Sequence, residues 1–295
     1  MLKIVKKSIP IFEMASFLVN FDRKLKYMIK RIFVIALLGL VLYACAKVPM
    51  SGRSQLALVS NEELLPMAYQ QYNQVLKEGK VITNTADGQM VVRVGKRIAA
   101  AVEQYMKANG FEKELEGFAW DFNLLQDPTV NAWCMPGGKV AFYTGIIPIC
   151  KDETGIAVVM GHEVAHAIAH HGRERMSNGM VLNGLLGTAQ AAMGQNPTLT
   201  QNLFLQAFGA GGQLGMLSFS RKHELEADQL GLNFMAMAGY DPRAAPGFWD
   251  RMSEGREGEA PPDFLSTHPG PNRRKDELNK QMPIALEYFE KSKRN

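Results

Sequence analysis

The chain has little excess charge, few cysteines and no internal repeats or low-complexity tracts. Its formal net charge is +4 over 295 residues. Residues 1–44 contain eight basic and two acidic side chains, a surplus of six, which leaves −2 for the rest of the chain. A nearly neutral protein offers no electrostatic basis for binding nucleic acid, so no nucleic-acid partner is expected.

Long apolar runs are missing beyond the N-terminal segment. The stretch 178–219 is rich in Gly, Ala, Leu and Met, but polar residues such as Asn183 and Gln190 interrupt it before it reaches the length of a membrane helix. Buried helical packing is therefore favoured over membrane insertion. The composition, 46% apolar and 21% charged, is that of a globular protein able to bury a full core.

A shorter apolar run does occur near the N-terminus, where residues 32–45 follow Lys30 and Arg31. The run is short for a bilayer span and ends in Leu-Tyr-Ala-Cys45, which resembles the lipobox at which bacterial signal peptides are cleaved and the cysteine is lipidated. This pattern predicts a signal peptide over residues 1–44 and a lipid on Cys45. An uncleaved anchor helix is the alternative interpretation.

Two further expectations follow from this lipobox. Counted from Met28 the signal peptide has normal proportions, so translation is expected to start there. Ala46, rather than aspartate, follows the lipidated cysteine, which predicts a bacterial envelope lipoprotein facing the periplasm, on the outer membrane rather than the inner. In that compartment Cys134 and Cys150 could form a disulfide or remain as two buried free thiols.

The rest of the chain is predicted as a tether over residues 45–59 and one domain over residues 60–295. Four apolar residues at helical spacing predict a helix capped by Asp87 and ended by Gly110: Val91, Val94, Ile98 and Val102. The strongly charged tail from Asn272 is predicted to form a solvated surface helix.

Three strands are predicted in the middle of the domain. Apolar and polar residues alternate over 118–125, and residues 130–135 and 139–143 form two further strand-like runs joined by a Pro-Gly-Gly turn at 136–138. Helical patterns dominate elsewhere. The expected fold class is α+β, mostly helical, with a small three- to four-stranded sheet beside the helix that follows the third strand.

That next helix contains the motif His162-Glu163-Val-Ala-His166, whose spacing is typical of a metal site. Residues four apart return to one face of a helix, so both imidazoles can hold one zinc ion. Glu163 stands beside them, where it can take a proton from water. The helix is predicted to begin at Glu153 and to end with Gly172 at its C-terminal cap.

A catalytic zinc ion needs a third protein ligand, and the neighbouring histidines do not provide it. His170 lies one turn beyond His166 and about 5.4 Å further along the axis, so it cannot reach the same ion. His170 and His171 are therefore predicted to be surface or packing histidines. The metzincin arrangement would need glycine at 169 and histidine at 172, where this chain has Ala169 and Gly172.

A distal carboxylate is the other solution, and the segment 220–228 provides one. Glu224 and Asp228 lie one turn apart on one helical face, so Glu224 can ligate the ion while Asp228 accepts the outer N–H of a ligating histidine. Glu226 points about 200° away and is predicted to be a solvated charge. His223 is predicted not to be a ligand.

Three motifs in this order resemble the gluzincin peptidases that include HtpX, the CAAX prenyl endopeptidase and Oma-type proteases: His-Glu-Val-Ala-His, Ser-Arg-Lys-His-Glu-Leu-Glu-Ala-Asp and Leu-Ser-Thr-His-Pro-Gly-Pro-Asn-Arg-Arg. The resemblance is nearest to the lipidated or periplasmic branch without membrane helices. It implies a zincin-like fold, zinc ligands His162, His166 and Glu224, Glu163 as general base and Asp228 behind the ligands.

The same resemblance implies roles for four more residues. His268 and Arg274 would stabilise the oxyanion or bind substrate, with Arg273 as the alternative arginine, and in some relatives the histidine occupies the open zinc position and holds the enzyme latent. The strand at Asn131 and Ala132 would pair with the extended backbone of the substrate, a mode that reads main chain more than side chains.

The predicted function is therefore a membrane-anchored zinc metalloendopeptidase that hydrolyses envelope proteins, most simply misfolded or unassembled ones, in protein quality control. The expected cofactor is one Zn²⁺ per chain. The alternative is a lipidated chaperone or assembly factor whose zinc site is latent or structural.

Overall fold

A computed structural model describes residues 24–32, 45–186, 197–208, 219–253, 264–265, 268 and 271–294. The chain divides into two units, residues 1–45 and 46–295. In the first unit, residues 24–32 are helical, and the predicted lipobox before Cys45 lies outside the described residues. Within the described ranges, no helix combines the length and the apolar character needed to cross a bilayer. The signal peptide, the start at Met28 and the lipid on Cys45 stay predictions.

Helices make up most of the second unit, and the predicted α+β, mostly helical fold class is confirmed. The strands are β1 (Cys45–Lys47), β2 (Ser54–Leu56), β3 (Asp121–Leu125), β4 (Ala132–Met135) and β5 (Lys139–Tyr143). The helices are α1 (Asn61–Glu78), α2 (Ala86–Ala108), α3 (Ile147–Cys150), α4 (Glu153–Ile168), α5 (His171–Leu186), α6 (Pro197–Phe208), α7 (Arg221–Met237), α8 (Ala244–Ser253) and α9 (Pro271–Ser292).

The main sheet has three strands in the order β3-β5-β4. β3 runs parallel to the central strand β5, and β4 runs antiparallel to it, with Ala132 opposite Phe142. The β4–β5 turn contains Gly137 and Gly138, whose φ angles of 81° and 79° favour glycine. Strand β4 therefore forms one edge of this sheet, and Cys134 on it is a free thiol, as is Cys150.

Helix α2 packs its predicted apolar face into the core, where Val91, Val94, Ile98 and Val102 are fully buried. Its cap differs from the prediction. Thr85 is the N-cap and accepts a hydrogen bond from the Gly88 amide, while Asp87 lies in the first turn. Thr85 can cap because its backbone is extended, the conformation that N-cap residues require.

Helix α4 is buried on every side from Gly155 to Ile168. It crosses α7 where Gly161 meets Gly231, so closely that a β-carbon on Gly231 would lie 2.7 Å from the backbone carbon of Gly161. This close crossing is possible because neither residue has a side chain. It places the start of α7 beside the second half of α4.

The end of α4 corrects the predicted stop at Gly172. The helix ends at Ile168, with Ala169 as C-cap, and His170 adopts the left-handed conformation with a φ of 55°. Gly172 instead lies in α5, where an added β-carbon would come within 2.0 Å of the Phe208 ring. Gly172 is thus needed for close packing, and His170 occupies the left-handed position after the helix where glycine is usual.

The C-terminal helix α9 is less solvated than predicted. Arg274, Leu278, Ala285 and Phe289 are buried, the first and third completely. The helix packs extensively against α7 and α8. Apart from Arg274, charged residues of this helix such as Lys275, Asp276 and Lys280 are exposed, which explains why composition alone suggested a surface helix.

The predicted tether covers residues 45–59, and its residues 46–59 are folded against the domain. β1 and β2 form a two-stranded sheet, and Val48, Gln55 and Val59 are buried. The Val48 amide and the Arg53 carbonyl close the turn between the two strands with a 2.8 Å hydrogen bond. We refer to residues 45–56 as the N-terminal hairpin.

The N-cap of α4 provides a first testable prediction. The Asp152 carboxylate accepts the Gly155 amide at 2.9 Å. We expect Asp152→Ala to lower the free energy of unfolding by about 1 kcal/mol, because one buried helix-end donor loses its partner. Urea unfolding followed by circular dichroism measures the change. An unchanged midpoint would show that water replaces the cap.

Candidate metal centre

Four buried side chains from three parts of the chain meet in one cluster: His162, His166, Glu224 and His268. α4 contributes the two histidines one turn apart, and α7 contributes Glu224 from its first turn, which the N-cap Ser220 fixes. One potential ligand atom from each residue lies within 4.8 Å of all the others. The structure therefore brings together the three predicted ligands and His268.

The distances between these atoms fit a single small cation. Nε2 of His162 lies 3.1 Å from Nε2 of His166 and 3.5 Å from the Glu224 carboxylate, which is also 3.5 Å from His166. Ligand atoms held tetrahedrally at 2.0–2.1 Å from zinc lie about 3.3–3.4 Å apart. Two imidazoles and a carboxylate also form a donor set that suits zinc. The residues present thus fit the predicted ion.

The protonation of these residues also suits a metal. Burial lowers the pKa of His166 well below its usual value, so the imidazole is neutral. Although burial alone would raise it, the neighbouring His268 and His162 lower the pKa of Glu224 well below its usual range. A neutral imidazole and an ionised carboxylate are the forms that bind metal.

Glu163 is buried beside the cluster, and its Oε1 atom has no hydrogen-bond partner within the described part of the chain. Nε2 of His268 lies 3.5 Å from this oxygen. Burial raises the pKa of the Glu163 carboxyl to about 8. A carboxyl with a pKa near neutrality can both take and return a proton.

Asp228 lies behind His162, with its Oδ1 atom 3.0 Å from Nδ1 of that ring. Arg274 holds the same carboxylate with two hydrogen bonds of 2.6 and 2.7 Å. Its guanidinium also stacks over Trp249, 3.4 Å from the ring centre. Although burial alone would raise it, Arg274 lowers the pKa of Asp228. The side chain of Arg273 lies outside the described residues.

Arg274 is placed differently from the role implied by the resemblance. It is fully buried and is not among the residues that line the cleft over the cluster. Its guanidinium contacts Asp228, Glu224 and the His162 ring. Arg274 therefore contacts the ligands without lining the cleft.

The cleft in front of the cluster runs along the edge strand β4. It is lined by Trp133, Cys134, Met135, Glu163, His166, Arg175, Ala207, Phe208, Phe219 and His268. Asn131 and Ala132 are 1% and 0% exposed, so their side chains do not line it. The Tyr143 amide donates to the Asn131 carbonyl, so the backbone of Asn131 faces β5. Successive residues of an antiparallel strand alternate in this respect, so the backbone groups of Ala132 and Cys134 face away from β5, towards the outer edge of the sheet.

Two predictions about other histidines agree with the structure. His170 lies 2.9 Å from the Glu114 carboxylate, and His223 lies 3.0 Å from Glu174. Neither belongs to the metal cluster found among the described residues. Both are packing histidines with an acidic partner.

The prediction that Glu226 is a solvated charge is wrong, whereas His171 takes the packing role that was one of its two predicted alternatives. His171 is fully buried and lies 2.9 Å from the outer nitrogen of His166. Glu226 is 7% exposed and contacts His171, Ser51 and Arg53. Glu226 does point away from the metal cluster, as predicted, but its side of α7 packs against α5 and the N-terminal hairpin instead of facing solvent. No periodicity in the sequence reveals such a partner.

Comparisons with known proteins place this site in a family. The family model described as Peptidase family M48 matches residues 93–282. The chain is 35% identical over 243 residues to the mitochondrial metalloendopeptidase OMA1 of Schizosaccharomyces pombe, covering 81% of this chain and 66% of that protein. It is 30% identical over 253 residues to the human mitochondrial metalloendopeptidase OMA1, covering 82% of this chain and 47% of that protein. The beta-barrel assembly-enhancing protease of Escherichia coli is 30% identical over 183 residues, and the match covers 57% of this chain and 36% of that protein.

The comparisons correct the predicted location. The bacterial outer membrane was expected, but the relatives that align with more than four fifths of the chain are named mitochondrial. Residues 1–44 are basic and poor in acidic residues, a composition that transit peptides share with secretory signals, so the pattern does not separate the two.

The resemblance to gluzincin peptidases is confirmed, and the predicted metallopeptidase class is confirmed at the level of the family. The family match covers both the motif on α4 and the segment that contains Glu224, His268 and Arg274. The chain belongs to peptidase family M48.

Proposed function

We propose that the chain is a zinc-dependent endopeptidase in which His162, His166 and Glu224 hold the ion. The observation that carries the proposal is the buried cluster, in which the donor atoms of His162, His166 and Glu224 lie 3.1 to 3.5 Å apart, close to the spacing of a tetrahedral zinc site. The general-base candidate Glu163 lies beside them. When bound, zinc would supply Lewis acidity and make water a nucleophile near neutral pH.

Glu163 performs the proton transfers in this proposal. Its Oε1 atom faces the cluster without a hydrogen-bond partner in the described ranges, so it can accept a proton from the attacking water. The same carboxyl then returns the proton to the leaving amine. Asp228 and Arg274 act from behind, because together they fix the ring of His162 in the orientation that presents Nε2 to the cluster.

His268 has to move in the catalytic cycle. Its Nδ1 atom lies 3.1 Å from Glu224 and 3.2 Å from Nε2 of His162, where a fourth ligand would stand. A catalytic zinc ion keeps that position open for water. We therefore propose that this arrangement is a latent state and that His268, once displaced, is free to contact the oxyanion, a contact worth about 3 kcal/mol in typical enzymes.

The substrate is proposed to be an extended polypeptide that pairs with the outer edge of β4. On this outer edge, the Val130 carbonyl already accepts a hydrogen bond from the Phe264 amide. Ala132 and Cys134 continue that edge towards the cleft. This corresponds to recognition by strand addition. Ala132, a predicted contact, is fully buried and its amide donates to the Asn131 side chain at 2.9 Å, so Cys134 is the outward residue that lines the cleft.

Zinc content tests the ligand assignment with a matched pair of histidines. We expect His166→Asn to abolish zinc binding and casein cleavage, because a ligand in the cluster is lost. His170→Asn should retain both, because His170 contacts Glu114 and asparagine tolerates its left-handed backbone. Elemental analysis and casein hydrolysis before and after chelation provide the measurements. Full zinc content in His166→Asn would exclude this site.

A further inference from the structure

A chain of hydrogen bonds continues outward from His166, away from the cluster. Nδ1 of His166 lies 2.9 Å from Nδ1 of His171, and Nε2 of His171 lies 3.0 Å from the Glu226 carboxylate. The two imidazole rings meet edge to face at 75° with centres 4.9 Å apart. All of His171 is shielded from solvent.

The hydrogen positions in this chain follow from the chemistry of imidazole. Because His166 presents Nε2 to the cluster, its Nδ1 atom carries the hydrogen and donates to His171. His171 must then accept through Nδ1 and carry its own hydrogen on Nε2, which donates to Glu226. One tautomer of each ring satisfies every bond.

Glu226 is itself held by the N-terminal hairpin. The Ser51 hydroxyl donates to one carboxylate oxygen, and Nε of Arg53 donates to the other at 2.6 Å. Arg53 also pairs with Glu174 at 2.8 Å. The carboxylate therefore has a fixed position and a neighbouring cation.

The two histidines of the motif are thus supported in different ways. His162 contacts a carboxylate directly through Asp228, whereas His166 contacts Glu226 only through His171. Partners behind a ligating histidine fix its tautomer and its ring orientation, and their loss typically weakens metal binding. Asp228 therefore supports the ring of His162 but not the ring of His166.

We infer that His171 and Glu226 are positioning residues for the metal site, which hold His166 with Nε2 directed at the ion. This inference rests on the proposed function, since it assigns the support of a ligand in that site. His171 acts as a spacer: it transmits the acceptor character of Glu226 across one ring width to Nδ1 of His166, an atom that contacts no carboxylate among the described residues.

Zinc affinity of the full chain tests the role of His171. We expect His171→Phe to raise the zinc dissociation constant by roughly 10- to 100-fold, because the aromatic ring fills the space but accepts no hydrogen bond. His171→Gln should recover most of the affinity, since its amide oxygen can accept from His166 and its amide nitrogen can donate to Glu226. Competition with a chromogenic chelator measures both constants.

Two glutamates provide the matched control. Glu226→Met and Glu174→Met each remove a carboxylate that pairs with Arg53 and with a histidine. The histidine beside Glu174 is His223, which makes no hydrogen bond to a proposed ligand within the described ranges. We expect Glu226→Met to raise the zinc dissociation constant by roughly 10-fold or more, and Glu174→Met to leave it unchanged. The double variant His171→Phe/Glu226→Met should be no weaker than His171→Phe, because the two residues act in series.

The outcomes separate the inference from the function on which it rests. If the wild-type chain binds no zinc, the proposed function fails. If the wild type binds zinc and His171→Phe binds it equally well, the positioning role is overturned while the site stands. Should His171→Phe not fold, as judged by circular dichroism of the metal-free protein, Glu226→Met decides: zinc affinity equal to that of Glu174→Met also overturns the role.

Discussion

The Glu163→Gln variant is expected to cleave peptides roughly 10²- to 10⁴-fold more slowly than the wild type while it retains zinc. Glutamine has nearly the same shape but cannot accept the proton of the attacking water. Glu163 is not one of the proposed ligands, so the ion should remain bound. Casein hydrolysis and zinc content, measured on the same preparation, test both halves of this expectation.

Glu153→Gln on the same helix is the matched control. Glu153 lies in the first turn of α4, is partly exposed and pairs with Arg93, so its loss should leave cleavage unchanged. Wild-type hydrolysis by Glu163→Gln would contradict the mechanism. If that inactive variant restored the phenotype of a deletion strain as fully as the wild type, the alternative of a chaperone or assembly factor would be favoured.

The Gly231→Ala variant is expected to lose both stability and zinc affinity. Its β-carbon would lie 2.7 Å from the amide nitrogen of His162 and from the backbone carbon of Gly161. Backbone atoms inside a helix cannot move aside as a side chain can, so α4 and α7 must separate. Overpacking of this kind costs about 1–3 kcal/mol in the free energy of unfolding. Since α7 contains Glu224, the same separation moves a proposed ligand away from His162.

Gly247→Ala is the control for this substitution. Gly247 lies inside α8, and the nearest atom to an added β-carbon is 3.9 Å away, at the end of the Arg251 side chain. Alanine should therefore stabilise the protein there by about 0.5–1 kcal/mol, because it has the higher helix propensity. Urea unfolding and zinc titration of both variants test the pair. Equal stability of the two would show that the helices adjust freely at their crossing.

Much of the fold was predictable because local patterns decide it. The helical spacing of Val91, Val94, Ile98 and Val102 predicted α2, and the Pro-Gly-Gly turn predicted the β4–β5 hairpin. Boundaries were less predictable. His170 follows the C-cap of α4 in a left-handed conformation usually taken by glycine, whereas Gly172 lies in α5 against the Phe208 ring.

The candidate site was predictable where helical geometry alone relates its residues. Spacings of four residues placed His162 above His166 and Glu224 above Asp228. The partners of these faces were not predictable, since they depend on how helices pack. Arg274 was assigned to the substrate side but lies behind Asp228, and Glu226 was assigned to solvent but meets His171.

The N-terminal hairpin changes where the protein can be shortened. A chain that begins at α1, close to the predicted boundary at residue 60, keeps all four residues of the cluster yet removes Ser51 and Arg53. The buried carboxylate of Glu226 and the partly buried carboxylate of Glu174 would then lose their shared cation, which is a costly arrangement. The smallest self-sufficient catalytic unit therefore includes the hairpin, although no residue of the hairpin touches the proposed ion.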